Sequence, residues 1–162
     1  MSQSEIVSYQ PATGEELWRG DICDVDEAVA RARAAFPGWA SRPVANRMEM
    51  VRRFANEVRA AADDFAELIA RETGKPLWEA KTEVEAVINK VEISISAYME
   101  RTGQKKLDSA LGGSAALRHK PHGVMAVLGP YNFPAHLPNG HIVPALIAGN
   151  TVLFKPSEKT PA

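Results

Sequence analysis

Two apolar runs limit what this chain can fold into more than any other feature. Gly123-Val-Met-Ala-Val-Leu-Gly129 is almost continuously apolar and is closed by glycine at each end. Thr151-Val-Leu-Phe-Lys155 is the second run. Short runs without polar alternation read as strands covered on both faces, the pattern of a parallel sheet. The stretch from Leu137 to Ala148 between them is helical in character, and Gly149-Asn150 supplies its C-terminal stop. Pro144 within that helix should kink it or remove a hydrogen bond. Strand, helix and strand with tight connections form a βαβ unit, with parallel strands and a right-handed crossover. The fold class is therefore α/β.

Ahead of these strands the period is helical. Asp24 and Glu27 make an Asp-x-x-Glu capping pair, and Val25, Ala28, Val29, Ala32 and Phe36 mark one face before a stop at Pro37-Gly38. A second helix carries Val44, Met48, Val51, Phe54, Ala55 and Val58 in a stripe, with Arg47, Arg52, Arg53 and Glu57 largely outside it. Asp64 with Glu67 caps a third, faced by Phe65, Leu68 and Ile69 and closed by Gly74 and Pro76. The longest runs from about Leu77 to Arg101 on the stripe Leu77, Ala80, Val84, Val87, Val91, Ile95 and Tyr98, with Gly103 as its stop. These stripes read as packing faces. Residues 1–23 read as irregular chain with short strand character, with a turn at Tyr9–Gly14 and an extended piece at Glu16–Ile22. Ser114–His119 is a short extended run, and Lys105-Lys106 reads as a solvated loop.

Composition excludes several function classes. A net charge of −1 with no long Lys/Arg run argues against a general nucleic-acid binder. No apolar stretch is long enough to span a bilayer, so no membrane partner is expected. Met1–Tyr9 lacks the basic-then-apolar pattern of a signal peptide, and the expected location is cytoplasmic. Cys23 is the single cysteine, so no internal disulfide forms. It stands between Asp21 and Asp24 rather than beside the cationic groups that activate a thiol, and it is assigned no catalytic role. The spacings of His119, His122, His136 and His141 suit no shared metal, and no metal site is expected.

Open α/β sheets bind ligands beyond the carboxyl ends of their strands. Two loops qualify, Gly129–His136 and Lys155–Glu158, and both should face one crevice. In the first, Pro130 and Pro134 stiffen the backbone around Asn132. A fixed amide there can stabilise an oxyanion; the alternative is an Asn that bonds its own loop. In the second, Lys155 can donate to sugar hydroxyls or phosphate and Glu158 can accept from a ribose diol. The alternative is a surface ion pair worth about 0–1 kcal/mol. No G-x-G-x-x-G lies between strand and helix, so a standard dinucleotide loop is not supported.

Gly129-Pro-Tyr-Asn-Phe-Pro134, Pro144-Ala-Leu-Ile-Ala-Gly-Asn150 and Thr151-Val-Leu-Phe-Lys-Pro-Ser-Glu158, in this order, resemble the aldehyde dehydrogenase superfamily. The segment Glu72-Thr-Gly-Lys75 points the same way, and the resemblance covers nearly the whole chain. Tyr131 to Pro144 and Arg118-His-Lys-Pro-His-Gly123 are most similar to the branch that oxidises succinylglutamate semialdehyde in arginine catabolism. Another branch, such as one acting on succinate semialdehyde, or a non-catalytic fragment that only associates with subunits or nucleotide, are the alternatives.

The resemblance implies N-terminal helices followed by the start of a Rossmann-like parallel sheet, incomplete in this chain. Residues 1–104 would be the helical part of the NAD-binding domain, 105–122 a strand pair of the oligomerisation type, and 123–162 the first βαβ of the nucleotide sheet. The implied cofactor is NAD, and the implied partners are a small aldehyde and further copies of the chain, as a dimer or tetramer. Asn132 would donate to the oxyanion, Lys155 and Glu158 would bind the adenosine ribose, and Pro130, Tyr131 and Ser157 would line the cofactor site. In the family the nucleophilic cysteine and base glutamate lie downstream of these motifs, so this chain alone is expected to be inactive.

Overall fold

The computed structural model describes residues 5–103, 105–108 and 112–162. The chain opens on an antiparallel hairpin, β1 (Glu5–Tyr9) and β2 (Glu16–Asp21), more regular than the irregular chain expected there. The expected turn joins the strands. Gln10 N–H donates to Glu15 O at 2.8 Å, and Gly14, at φ 74°, takes the left-handed conformation that costs a glycine least.

Four helices follow. The first, α1 (Val25–Ala40), is capped as expected, with Asp24 Oδ1 accepting from Glu27 N–H at 3.0 Å. It does not stop at Pro37. The last turn is held from outside: Ser41 N–H closes on Pro37 O at 3.1 Å, and Trp39 Nε1 donates to Leu146 O at 3.0 Å. Those contacts offset the donor that proline lacks.

The helices α2 (Val44–Ala60) and α3 (Ala62–Thr73) meet at the single residue Ala61. The expected cap at Asp64 is therefore not used. Ala61 N–H bonds Glu57 O and Phe65 N–H bonds Ala61 O, which leaves no gap for a capping side chain. Asp64 falls within the first turn, where its charge still favours the helix dipole. Gly74, at φ 74°, caps α3 as expected, and α4 (Leu77–Thr102) ends at Gly103. The stripes of α2, α3 and α4 meet in one core around Val51, Ile69, Val84, Val91 and Ile95. Each such side chain stabilises the fold by about 1.5–3 kcal/mol.

A second antiparallel pair follows, β3 (Lys105–Asp108) with β4 (Ser114–Leu117). Lys105 and Lys106 are thus strand residues and not a loop, because they pair with Leu117 and Ala116. The βαβ unit closes the chain: β5 (Val124–Leu128), α5 (His136–Ile147) and β6 (Thr151–Lys155). The two strands are parallel, in register from Val124↔Thr151 to Leu128↔Lys155.

Pro144 sits inside α5, which ends where Gly149 turns to φ 92°. Asn150 does more than stop it. Its Oδ1 accepts from His122 N–H at 2.7 Å and Gly123 N–H at 3.1 Å, while Nδ2 donates to Ala145 O at 3.2 Å. Asn150, the link between α5 and β6, therefore also fixes the start of β5.

Arg47 departs from expectation. It lies in the core at 7% exposure, not on the solvent face. Its guanidinium holds the end of α5 and the link between α1 and α2, donating to Ile147 O at 2.9 Å and to Arg42 O. The strands also differ in part. Val127 and Thr151 are buried, but Leu128 is 76% and Phe154 39% exposed. Among the described residues β5 and β6 pair only with each other, so neither has a second neighbouring strand. Among the same residues no helix is long and apolar enough to cross a membrane.

Candidate active site

The parallel register of β5 and β6 brings Leu128 and Lys155 to the same edge, so the loops that follow leave side by side. Gly129 N–H donates to Lys155 O at 2.8 Å and carries the ladder one residue further. A Cβ on Gly129 would stand 2.9 Å from the Phe154 ring, so glycine permits this approach. Further out, Thr160 Oγ1 donates to Tyr131 O at 3.4 Å, and Lys159 Nζ lies 5.2 Å from the centre of the Tyr131 ring. The two loops expected to share a crevice therefore touch.

Within the second loop, Lys155 Nζ and Glu158 Oε2 are 2.8 Å apart on largely exposed side chains. The hydrogen bond from Lys155, with a further backbone hydrogen bond at Glu158, holds the Glu158 carboxyl below the usual carboxylate range. A surface ion pair of this kind is worth about 0–1 kcal/mol, so it opens cheaply to a better ligand. Ser157 behaves differently. It is buried, its Oγ accepts from Lys159 N–H and its carbonyl from Thr160 N–H, both at 3.2 Å. Its hydroxyl shapes the turn.

In the first loop Asn132 is exposed, and its side-chain amide makes no hydrogen bond among the described residues. Pro130 is half-buried and Tyr131 exposed, beside it.

Underneath this loop lies a charged pair that the helical stripes did not flag. The Glu83 side chain, on α4, is 0% exposed and lies 2.6 Å from Lys75 Nζ. Its other oxygen accepts from Ala135 N–H and His136 N–H, both at 3.0 Å. These donors open α5 and have no partner within the helix; a carboxylate there also suits the helix dipole. Lys75 Nζ in turn donates to Asn132 O at 2.9 Å and lies 4.2 Å from the Phe133 ring centre. A signal for Glu83 was present: it lies three residues after Ala80 and four before Val87, on the apolar stripe itself. Cys23 is exposed and lies between β2 and α1, not in either loop.

The model of the aldehyde dehydrogenase family matches residues 1–162. The chain is 74% identical to the N-succinylglutamate 5-semialdehyde dehydrogenase of Novosphingobium aromaticivorans, over 100% of this chain and 34% of that protein. It is 66% identical to the protein of that name in Sphingopyxis alaskensis, over 98% of this chain and 33% of the other. The chain thus spans about a third of the length of the curated relatives it matches. Among solved structures, an NADP-dependent glyceraldehyde-3-phosphate dehydrogenase of Bacillus halodurans, complexed with NADP, superposes with a TM-score of 0.90 at 27% identity, over 98% of this chain and 35% of that one. An NAD-dependent benzaldehyde dehydrogenase of Corynebacterium glutamicum gives 0.88 at 26% identity, over 99% of this chain and 36% of that one.

Proposed function

Because the chain belongs to the aldehyde dehydrogenase family, we propose that the complete protein oxidises N-succinylglutamate 5-semialdehyde to succinylglutamate with NAD, in arginine catabolism. The observation that carries the chemistry is the contact between two strand-end loops, one carrying the exposed Asn132 and the other a carboxylate–ammonium pair. The relatives' names support the choice of aldehyde.

In this reading the Asn132 side-chain N–H donates to the oxyanion that develops on the aldehyde oxygen. Among the described residues it makes no other hydrogen bond, which supports its availability as a donor. Glu158 accepts from the adenosine ribose hydroxyls and Lys155 donates to them. Their exposure and their weak mutual pairing fit a diol ligand. The negative charge of Glu158 disfavours a 2′-phosphate, which selects NAD over NADP. When bound, the nicotinamide supplies the oxidant. Pro130 and Tyr131 border the same crevice, and Ser157 contributes by shaping the turn. In this reading Cys23, exposed between β2 and α1, is not the nucleophile, and the thiolate and general-base glutamate that the family resemblance implies come from outside residues 1–162. The complete protein works as a cytoplasmic homo-oligomer, a dimer or tetramer, with β3 and β4 as an oligomerisation segment.

The test is NADH formation by the complete protein. Expected is a higher kcat/KM for N-succinylglutamate 5-semialdehyde than for succinate semialdehyde, and for NAD than for NADP. The reverse order with either aldehyde or cofactor overturns that part of the proposal. Asn132→Ala should lower kcat by about 10²–10³-fold, the usual effect of losing one oxyanion donor. An unchanged kcat, with the chemical step limiting, removes Asn132 from the reaction.

A further inference from the structure

We propose that Lys75 and Glu83 are positioning residues that set the place of the Asn132 amide; this rests on the reading of Asn132 as the oxyanion donor.

The two side chains grip the loop at separate points. Lys75 Nζ holds the carbonyl of Asn132 itself at 2.9 Å and sits 4.2 Å from the ring centre of the next residue, Phe133. Glu83 holds the N–H groups of Ala135 and His136. The backbone is thus clamped at Asn132 and again three and four residues later, with Pro134 restricting the chain between. The 2.6 Å pair joins the two grips into one unit. It also ties three places in the fold together: the segment after α3, the buried face of α4 and the N-terminus of α5.

Charge is an expensive way to make such a link. The Glu83 side chain is fully buried and that of Lys75 is 9% exposed. A buried ion pair contributes little net stability compared with an apolar pair of the same volume. What it offers here is direction: the ammonium points donors at one carbonyl, and the carboxylate points acceptors at two adjacent N–H groups. An oxyanion donor acts only when it is in place beforehand, and a displacement of about 1 Å can cost about 10²-fold in rate. Asn132 has no side-chain hydrogen bond of its own among the described residues. Its position therefore depends on how its backbone is held.

The experiment uses the complete enzyme and reads the rate constant of the NADH burst, the NAD dissociation constant and the thermal midpoint. Glu83→Gln keeps the shape and an acceptor but breaks the ion pair. Lys75→Met keeps the stem and loses the donors, and Lys75→Arg restores charge and donors. Each variant is made alone and with Asn132→Ala. Expected for Glu83→Gln and Lys75→Met is a burst slowed about 10–100-fold with NAD affinity nearly unchanged, and a partial recovery in Lys75→Arg. In the Asn132→Ala background the same changes should add little, because the group they position is gone.

Equal slowing in both backgrounds overturns the positioning role while leaving Asn132 in the mechanism. Normal bursts in Lys75→Met and Glu83→Gln overturn it as well. A normal burst in Asn132→Ala alone sinks the Asn132 reading and this proposal with it. If Glu83→Gln does not fold, Lys75→Met, at the less buried partner, decides the matter by itself.

Discussion

Replacing Asn150 with alanine should loosen the start of β5. The side chain is 3% exposed and serves three backbone groups. Two of them keep other options after the change. His122 is exposed, so water can reach its N–H. Ala145 O still accepts from Asn150 N–H at 2.9 Å. Gly123 N–H loses its partner with less access to solvent, and one buried orphan costs about 1–3 kcal/mol. Adding the net value of the two remaining hydrogen bonds, at about 0.5–1.5 kcal/mol each, gives a total of about 2–6 kcal/mol. Local opening should then be about 30–20,000 times more frequent. Hydrogen exchange in the complete enzyme, followed by mass spectrometry on peptides spanning 122–128 and 151–155, reads this directly. Asn150→Asp keeps an acceptor for both N–H groups but buries a carboxylate whose second oxygen faces Ala145 O, so it should be no milder than Asn150→Ala. Unchanged protection of 124–128 in Asn150→Ala refutes the reasoning.

Two further outcomes follow from the site. Glu158→Gln should narrow the preference for NAD over NADP several-fold, measured as the ratio of kcat/KM values; an unmutated enzyme that uses both equally, or a ratio that the change leaves alone, argues against Glu158 as the selector. Gly129→Ala places a Cβ 2.9 Å from Phe154 Cε2 and should destabilise by about 1–3 kcal/mol, seen as a lower thermal midpoint, with a raised KM for NAD as the loops part; a variant with both values unchanged shows that the ring yields freely.

Legibility along the chain tracked how local the deciding forces are. β6 was readable to the residue because Thr151–Lys155 is bounded by an Asn that stops a helix and a proline that cannot continue a strand. The cap at Asp24 and the stop at Gly74 were equally legible, since both act within four residues. Pro37 misled because the contact that carries α1 past it comes from Leu146, far along the chain. The partners of Arg47 and Glu83 were hidden for the same reason. Glu83 stands on the apolar stripe, which marks it for burial, but the groups that hold the two side chains are far along the chain: Ile147 in one case, Ala135 and His136 in the other. Of the site, the Lys155–Glu158 pair was visible from its spacing of three. The loop containing Asn132 was visible from its prolines, but the clamp beneath it was not.

Glu72 carries a consequence for the order of folding. This carboxylate is 4% exposed, and one oxygen accepts from Ser8 Oγ at 2.5 Å and from Ala162 N–H at 3.0 Å. Its two donors come from opposite ends of the described chain. Burying a carboxylate before its donors arrive costs several kcal/mol. During synthesis the chain emerges at about 5–20 residues per second, from the N-terminus. The β1–β2 hairpin and α3 are therefore exposed together for seconds before the residues near 162 leave the ribosome. Until then the hairpin has one hydrogen-bond anchor at Glu72 where the finished fold has two joined through it. Docking of the first strand is thus a late event, although its residues are made first. A ribosome-stalled series of increasing length, probed by proteolysis near Ser8, would show protection appearing only after residue 162 has cleared the exit tunnel.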